Sequence, residues 1–243
     1  MGAVVVNRLS YCYPDGKQVL KNISFSVGRG SMVAVLGLSG CGKSTLCLCL
    51  AGIIPHYMGG KMTGRVLING LDTSQYKIAR LAREVGVVFQ DPDTQLFSPT
   101  VEDEVAFAPE NLCLPPLQIR QRVDSVLDMV GINDLRYENQ NTLSGGQKHL
   151  VALASVLALD PSVLVLDEVL AQLDTAAKRK VTDLLIYLRQ QGKTVIIVEQ
   201  DLIASAMADR VLLIDNGMLV EDKEATLFLQ DKALLARHKL LVT

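Results

Sequence analysis

The chain has 243 residues, long enough for one elaborated domain or two subdomains around a sizeable core. Lys and Arg total 24 against 26 Asp and Glu, a net charge of −2 that leaves no basic footprint for nucleic acid. Apolar residues make up 49%, yet no run reaches the ~20 residues of a membrane span, because the richest stretch, 150–173, is interrupted by Asp160-Pro161 and Asp167-Glu168. From about residue 3 to 30 apolar and polar residues alternate, and Pro14-Asp15-Gly16 reads as a hairpin turn. Together with Gly64 to Gly70 this predicts an antiparallel edge sheet.

Met32 to Leu36 is a short apolar run, expected as a strand buried on both faces. Directly after it, Gly37-Leu38-Ser39-Gly40-Cys41-Gly42-Lys43-Ser44 matches G-x-x-x-x-G-K-[ST]. Gly37, Gly40 and Gly42 let the backbone turn tightly and bring its N–H groups to an anion. Lys43 is placed to reach β- and γ-phosphates, and the Ser44 hydroxyl to ligate Mg²⁺. Ser44 to Leu50 then reads as a helix, whose N-terminal dipole favours phosphate. The glycines do not fit the dinucleotide pattern G-x-G-x-x-G.

Strands are further expected at 85–89, 163–167, 194–198 and 211–214. Between Asp91 and Asp160 the pattern turns helical, with Ile119, Val123, Val126, Leu127 and Val130 on one face of 117–130. Leu143-Ser144-Gly145-Gly146-Gln147 follows, just where a helix opens, so a hydroxyl and free N–H groups point at an anion. Val163 to Leu166 ends in Asp167-Glu168. An Asp at that strand end can hold Mg²⁺, and Glu168 can orient or deprotonate a water; an acidic pair after a strand is also the ordinary start of a solvated loop. Asp174 reads as an N-cap for a helix with Val181, Leu184, Leu185 and Leu188 on one face. Beyond Val220, Leu227, Leu234, Leu235 and Leu240-Leu241 predict a short closing helix. The five cysteines (Cys12, Cys41, Cys47, Cys49, Cys113) lack zinc spacing and, with no signal peptide, read as cytosolic thiols. Met1-Gly2 lacks Ser or Thr at position six, so myristoylation is not expected.

These motifs resemble the ATP-binding subunits of ABC transporters over nearly the whole chain, and Leu143–Gln147 is identical to that family's signature sequence. The resemblance implies an α/β P-loop NTPase fold, with a mainly parallel central sheet, an antiparallel β subdomain and an inserted α-helical subdomain. Residues 1–90 and 161–220 would form the nucleotide-binding core, 91–160 the helical signature subdomain and 221–243 a short helical tail. Gly37, Ser39, Gly40, Cys41, Gly42, Lys43, Ser44 and Thr45 would bind ATP, with Ser44, Gln90 and Asp167 around Mg²⁺. Tyr13 sits where the family stacks an aromatic on adenine, with Tyr11 the alternative. Leu143, Ser144, Gly145, Gly146 and Gln147 would face the γ-phosphate held by a second ATPase subunit, and Asp174 the turn across that interface. The catalytic pair would be Glu168 and Gln200. Gln200 stands where the family places a histidine, and a neutral amide cannot carry a proton. That substitution implies weakened hydrolysis. Val169-Leu170-Ala171-Gln172 also replaces a more common proline-containing run.

Phe89 to Leu112, FQDPDTQLFSPTVEDEVAFAPENL, resembles the ATPases of energy-coupling-factor transporters, which import vitamins and transition-metal ions in prokaryotes. This implies a peripheral protein at the cytoplasmic face of the membrane, docked to an integral membrane subunit through 90–112. Leu96, Phe97, Val101, Val105 and Phe107 would offer an apolar patch to an amphipathic helix. The chain stops short of the C-terminal segment many of those ATPases carry, so their contacts there are not carried over. Two alternatives stand beside the motor: a hydrolysis-weak partner in a heterodimeric pair, and a non-transport ABC protein.

Overall fold

A computed structural model describes residues 2–240. Two sheets organise the chain. The first is antiparallel, in order β2-β1-β4-β5, from β1 (Val4–Cys12), β2 (Gln18–Val27), β4 (Lys61–Ile68) and β5 (Leu71–Asp72). The β1–β2 turn closes where expected, with the Gly16 N–H donating to Tyr13 O at 3.0 Å. The second sheet runs β10-β9-β3-β8-β7-β6. Its parallel strands are β3 (Met32–Leu36), β6 (Val85–Val88), β7 (Val163–Asp167), β8 (Thr194–Glu199) and β9 (Arg210–Asp215). Strand β10 (Met218–Glu224) adds an antiparallel edge.

Successive residues of a strand point to opposite faces, so the two sides of β3 build two cores. Met32, Ala34 and Leu36 pack with the helical layer, α4 (Val101–Asn111), α5 (Pro116–Val130), α6 (Gly145–Leu157) and α7 (Thr175–Gln190). Val33 and Val35 pack with the antiparallel sheet and α1 (Lys43–Leu50). The predicted apolar faces of α5 and α7 turn inward: Val123, Val126, Leu127 and Val130, then Val181, Leu184, Leu185 and Leu188, are buried, with Ile119 packed at the margin. The parallel strands end together, so Gly37, Gln90, Asp167 and Gln200 emerge along one edge, the usual ligand edge of an open α/β sheet.

The closing segment corrects an expectation. Instead of one helix after Val220, β10 continues to Glu224, and two short helices follow, α8 (Ala225–Gln230) and α9 (Lys232–Arg237). The alternating burial of β10 reflects an edge strand packed on one face only. Leu234, Leu235 and Leu240 are buried as expected and Leu227 is exposed; Leu241 lies outside the described residues. Two short helices, α2 (Ile53–His56) and α3 (Ile78–Leu81), complete the set among the described residues.

Candidate functional site

The phosphate loop leaves β3 and enters α1 through glycines that local space demands. A Cβ on Gly37 would lie 2.3 Å from Ile214 O and 2.6 Å from Cys41 Sγ. Gly42 has φ +111° and precedes α1 as its N-cap. Cys41 is buried behind the loop, and burial pushes its thiol up. Lys43, 3% exposed, donates to Gly37 O at 2.7 Å and Leu38 O at 3.2 Å and pairs with Glu168 Oε1 at 3.2 Å.

Glu168 is the meeting point. Its Oε2 accepts from Gln90 Nε2 at 2.9 Å and from Gln200 Nε2 at 2.8 Å. The start of α1 and the ends of β6 and β8 therefore bring one cation and two amides to one carboxylate. Tyr13, Ser39, Gly40, Lys43 and Thr45 line a cleft of about 230 Å³ with Gln90 and Glu168. The Tyr13 hydroxyl lies 3.1 Å from Thr45 Oγ1. Tyr11, the alternative aromatic, is 1% exposed and its hydroxyl donates to Gly59 O, so it is a core residue rather than a cleft wall.

Ser44, Gln90 and Asp167 share the wall of an adjoining cleft. Burial pushes the Asp167 carboxyl up to about 6, opposed by the Ser44 hydroxyl beside it. Asp167 Oδ1 is buried without a hydrogen-bond partner. A buried carboxylate oxygen with a free lone pair, next to a hydroxyl and an amide, fits Mg²⁺, which is held by one or two carboxylates plus substrate phosphates.

The signature residues stand apart from this cleft. Ser144 caps α6: its Oγ accepts from Gln147 N at 3.3 Å, while Ser144 N donates to Gln147 Oε1 at 2.8 Å. The Ser144 hydroxyl thus serves its own helix first. Leu143 is buried, whereas Ser144 and Gly145 are exposed, and a Cβ on Gly145 would meet nothing within 4 Å. Asp174 is the N-cap of α7, accepting from Ala177 N at 2.8 Å.

The expected apolar patch divides. Val101 and Val105 are fully buried core residues, because their side of α4 packs against α6; this corrects their placement on a docking surface. Leu96 is half-buried against the same core. Phe97 and Phe107 stay outside, 64% and 43% exposed, in an edge-to-face pair with centroids 4.5 Å apart.

Three residues not singled out beforehand organise the site. Glu104 is buried and accepts from Phe97 N, Ser98 N and Gln140 Nε2 at 3.1, 2.8 and 3.0 Å. His149 places Nδ1 2.9 Å from Gly145 O and Nε2 3.1 Å from Gln90 O, bridging the first turn of α6 to the strand end at Gln90. Glu199 is buried beside Gln200. Only Glu199 carries a sequence signal, an acid closing an otherwise apolar strand.

The ABC transporter family model matches residues 20–171. The energy-coupling factor transporter ATP-binding protein EcfA of Methanosarcina acetivorans is 40% identical over 216 residues, 88% of this chain and 77% of that one. The structure of cbiO1 from Clostridium perfringens, part of the ABC transporter complex cbiONQ, superposes with TM-score 0.82 at 36% identity, covering 99% of this chain and 96% of that one. The dimeric cassette MJ0796, in a post-hydrolysis state bound to ADP and Pi, shares the fold at TM-score 0.81 and 24% identity, covering 91% of this chain and 98% of that one.

Proposed function

The chain belongs to the ABC transporter family and is an ATP-hydrolysing subunit of a transporter; we propose that it powers uptake of a vitamin or a transition-metal ion through an energy-coupling-factor type membrane partner. The observation that carries the catalytic reading is the Glu168 carboxylate, gathered by Lys43, Gln90 and Gln200 at 3.2, 2.9 and 2.8 Å. The N–H groups of Gly37 to Thr45 cradle the ATP phosphates, and Tyr13 stacks on adenine. Lys43 exchanges carbonyl and carboxylate partners for β- and γ-phosphate oxygens. Glu168, released from Lys43, is the base or orienting group for the attacking water, and the Gln90 and Gln200 amides aim its carboxylate. Ser44, Gln90 and Asp167 would hold Mg²⁺, which when bound offsets charge on the transferring phosphoryl group.

A second ATPase subunit, identical or related, brings its own Ser144–Gln147 over this ATP, so the two chains enclose two nucleotides. The membrane partner docks on the segment 90–112, where the exposed Phe97–Phe107 pair supports an apolar contact. The protein then sits peripherally at the cytoplasmic face of a prokaryotic membrane. No helix among the described residues is long and apolar enough to cross it. The names of EcfA, an energy-coupling factor transporter ATP-binding protein, and of cbiO1, part of an ABC transporter complex, support a transporter partner of this type, and the cargo class follows from the resemblance of 89–112 to energy-coupling-factor ATPases.

In the assembled transporter in vesicles, uptake should require ATP, and Glu168→Gln should lower turnover about 10²–10⁴-fold while ATP still binds. Wild-type turnover in that variant contradicts the reading. Gln200 supports a second reading, a hydrolysis-weak member of a heterodimer, because a neutral amide bonded to Glu168 cannot carry a proton. Gln200→His should then raise turnover per site; an unchanged rate removes this alternative.

A further inference from the structure

Strand β8 lies between β3 and β7, so its last residues stand between the phosphate loop and Asp167-Glu168. Glu199 closes it, 1% exposed and paired across the ladder with Leu36, the residue before the loop. Its Oε1 accepts the Leu170 N–H at 2.9 Å. Leu170 opens the 3₁₀ turn Leu170–Gln172, part of the connection from Glu168 to Asp174.

That connection needs support. Glu168 has φ +54°, a left-handed conformation for a residue with a Cβ, and such backbone persists only where its surroundings over-determine it. Two bonds from β8 do so: Glu168 N–H donates to Val198 O at 2.8 Å, and Leu170 N–H to Glu199. Val169 and Leu170 are buried, so the Leu170 N–H has no route to water. The turn also lacks a proline to stiffen it. Burial, then Asp201, hold the Glu199 carboxyl up at about 7 against the pull of the Leu170 N–H. Stability alone favours an apolar residue there, like Val195 to Val198 before it.

We propose that Glu199 is a positioning residue for ATP hydrolysis: its side chain fixes the turn after Glu168, and with it the stance of Glu168 at the phosphate loop and of Asp174 at the start of α7. Gln200 holds the Glu168 carboxylate and Glu199 holds the backbone behind it. The proposal rests on Glu168 serving the attacking water.

The test compares Glu199→Met, Glu199→Gln and Glu168→Gln in the assembled transporter, with turnover against ATP concentration and ATP binding to each purified chain. Met fills the volume without an acceptor of comparable strength. Its kcat should fall about 10–100-fold, with KM and ATP binding within about twofold of wild type. Gln keeps a carbonyl oxygen for the Leu170 N–H and should recover to within about fivefold of the wild-type rate. Amide exchange at Leu170 should speed up in the Met variant and not in the Gln variant. Wild-type kcat in Glu199→Met overturns the proposal, as does a Gln variant no better than Met. Where Glu199→Met does not bind ATP, Glu199→Ala takes the same test. Loss of binding in both makes Glu199 a folding determinant and overturns the positioning role. If Glu168→Gln is inactive while Glu199→Met is not, this proposal alone falls; if Glu168→Gln turns over normally, the reading of Glu168 falls with it.

Discussion

The phosphate-loop region and the signature region both use glycine and a helix start, yet they are built in opposite ways. Around Gly37 the loop is enclosed, with Ile214 O and Cys41 Sγ where any side chain would go, and Lys43 and Glu168 are buried together. Around Gly145 there is open space, and Ser144 and Gln147 satisfy each other in a capping box without outside help. One region closes on what it holds. The other is finished locally, with Ser144 and Gly145 exposed at the start of α6.

Matched substitutions should separate the two. Gly37→Ala should destabilise the chain by about 3 kcal/mol through overpacking against backbone, and lose ATP binding with it. Gly145→Ala should leave stability within about 0.5 kcal/mol, since Ala is the better helix former and nothing crowds it. Denaturant midpoints for both variants check this. Equal losses would erase the contrast between enclosed and open glycines.

The enclosed region should also carry the pH dependence. Asp167 and Glu199 have carboxyls raised from 3.8 to about 6 and from 4.5 to about 7, each chiefly by burial. Both therefore bind protons more tightly folded than unfolded, and their contribution to stability is lost as pH rises through those windows. In metal-free buffer the chain should be more stable near pH 5 than near pH 8, by at most about 3 kcal/mol per group. Asp167→Asn should flatten part of that slope. A midpoint that rises from pH 5 to 8 contradicts the assignment.

The smallest effect concerns the link between the regions. His149→Phe keeps a buried ring but removes the nitrogens that face Gly145 O and Gln90 O, one of which donates in a neutral imidazole, and should reduce stability by about 1 kcal/mol. Amide exchange should increase at 90–93 and at the start of α6. No change there would mean that the two regions are held together without His149.

What was legible in the sequence follows the same divide. The phosphate loop, Asp167-Glu168 and the signature are contiguous residues whose spacing is itself the geometry. The apolar faces of α5 and α7 were legible because helical period and burial agree. Glu104 and His149 were not, since each acts on residues that only the folded chain brings near: Gln140 for Glu104 and Gln90 for His149. The direction of Val101 and Val105 was misread because an apolar residue among acids fits either a core face or a docking face. Strand β10 was missed because its edge position leaves it half-polar.

In the proposed cycle the signature acts on a nucleotide held by the partner subunit and not by its own chain. Gly145→Asp tests it most directly. Asp at the first turn suits the α6 dipole and has room for its side chain, but its charge opposes a phosphate presented there. The measurement pairs ATP affinity of the isolated chain with ATP turnover of the full assembly. Affinity should stay within about twofold of wild type while turnover falls about 100-fold or more; affinity that falls in step with turnover would contradict action across the interface.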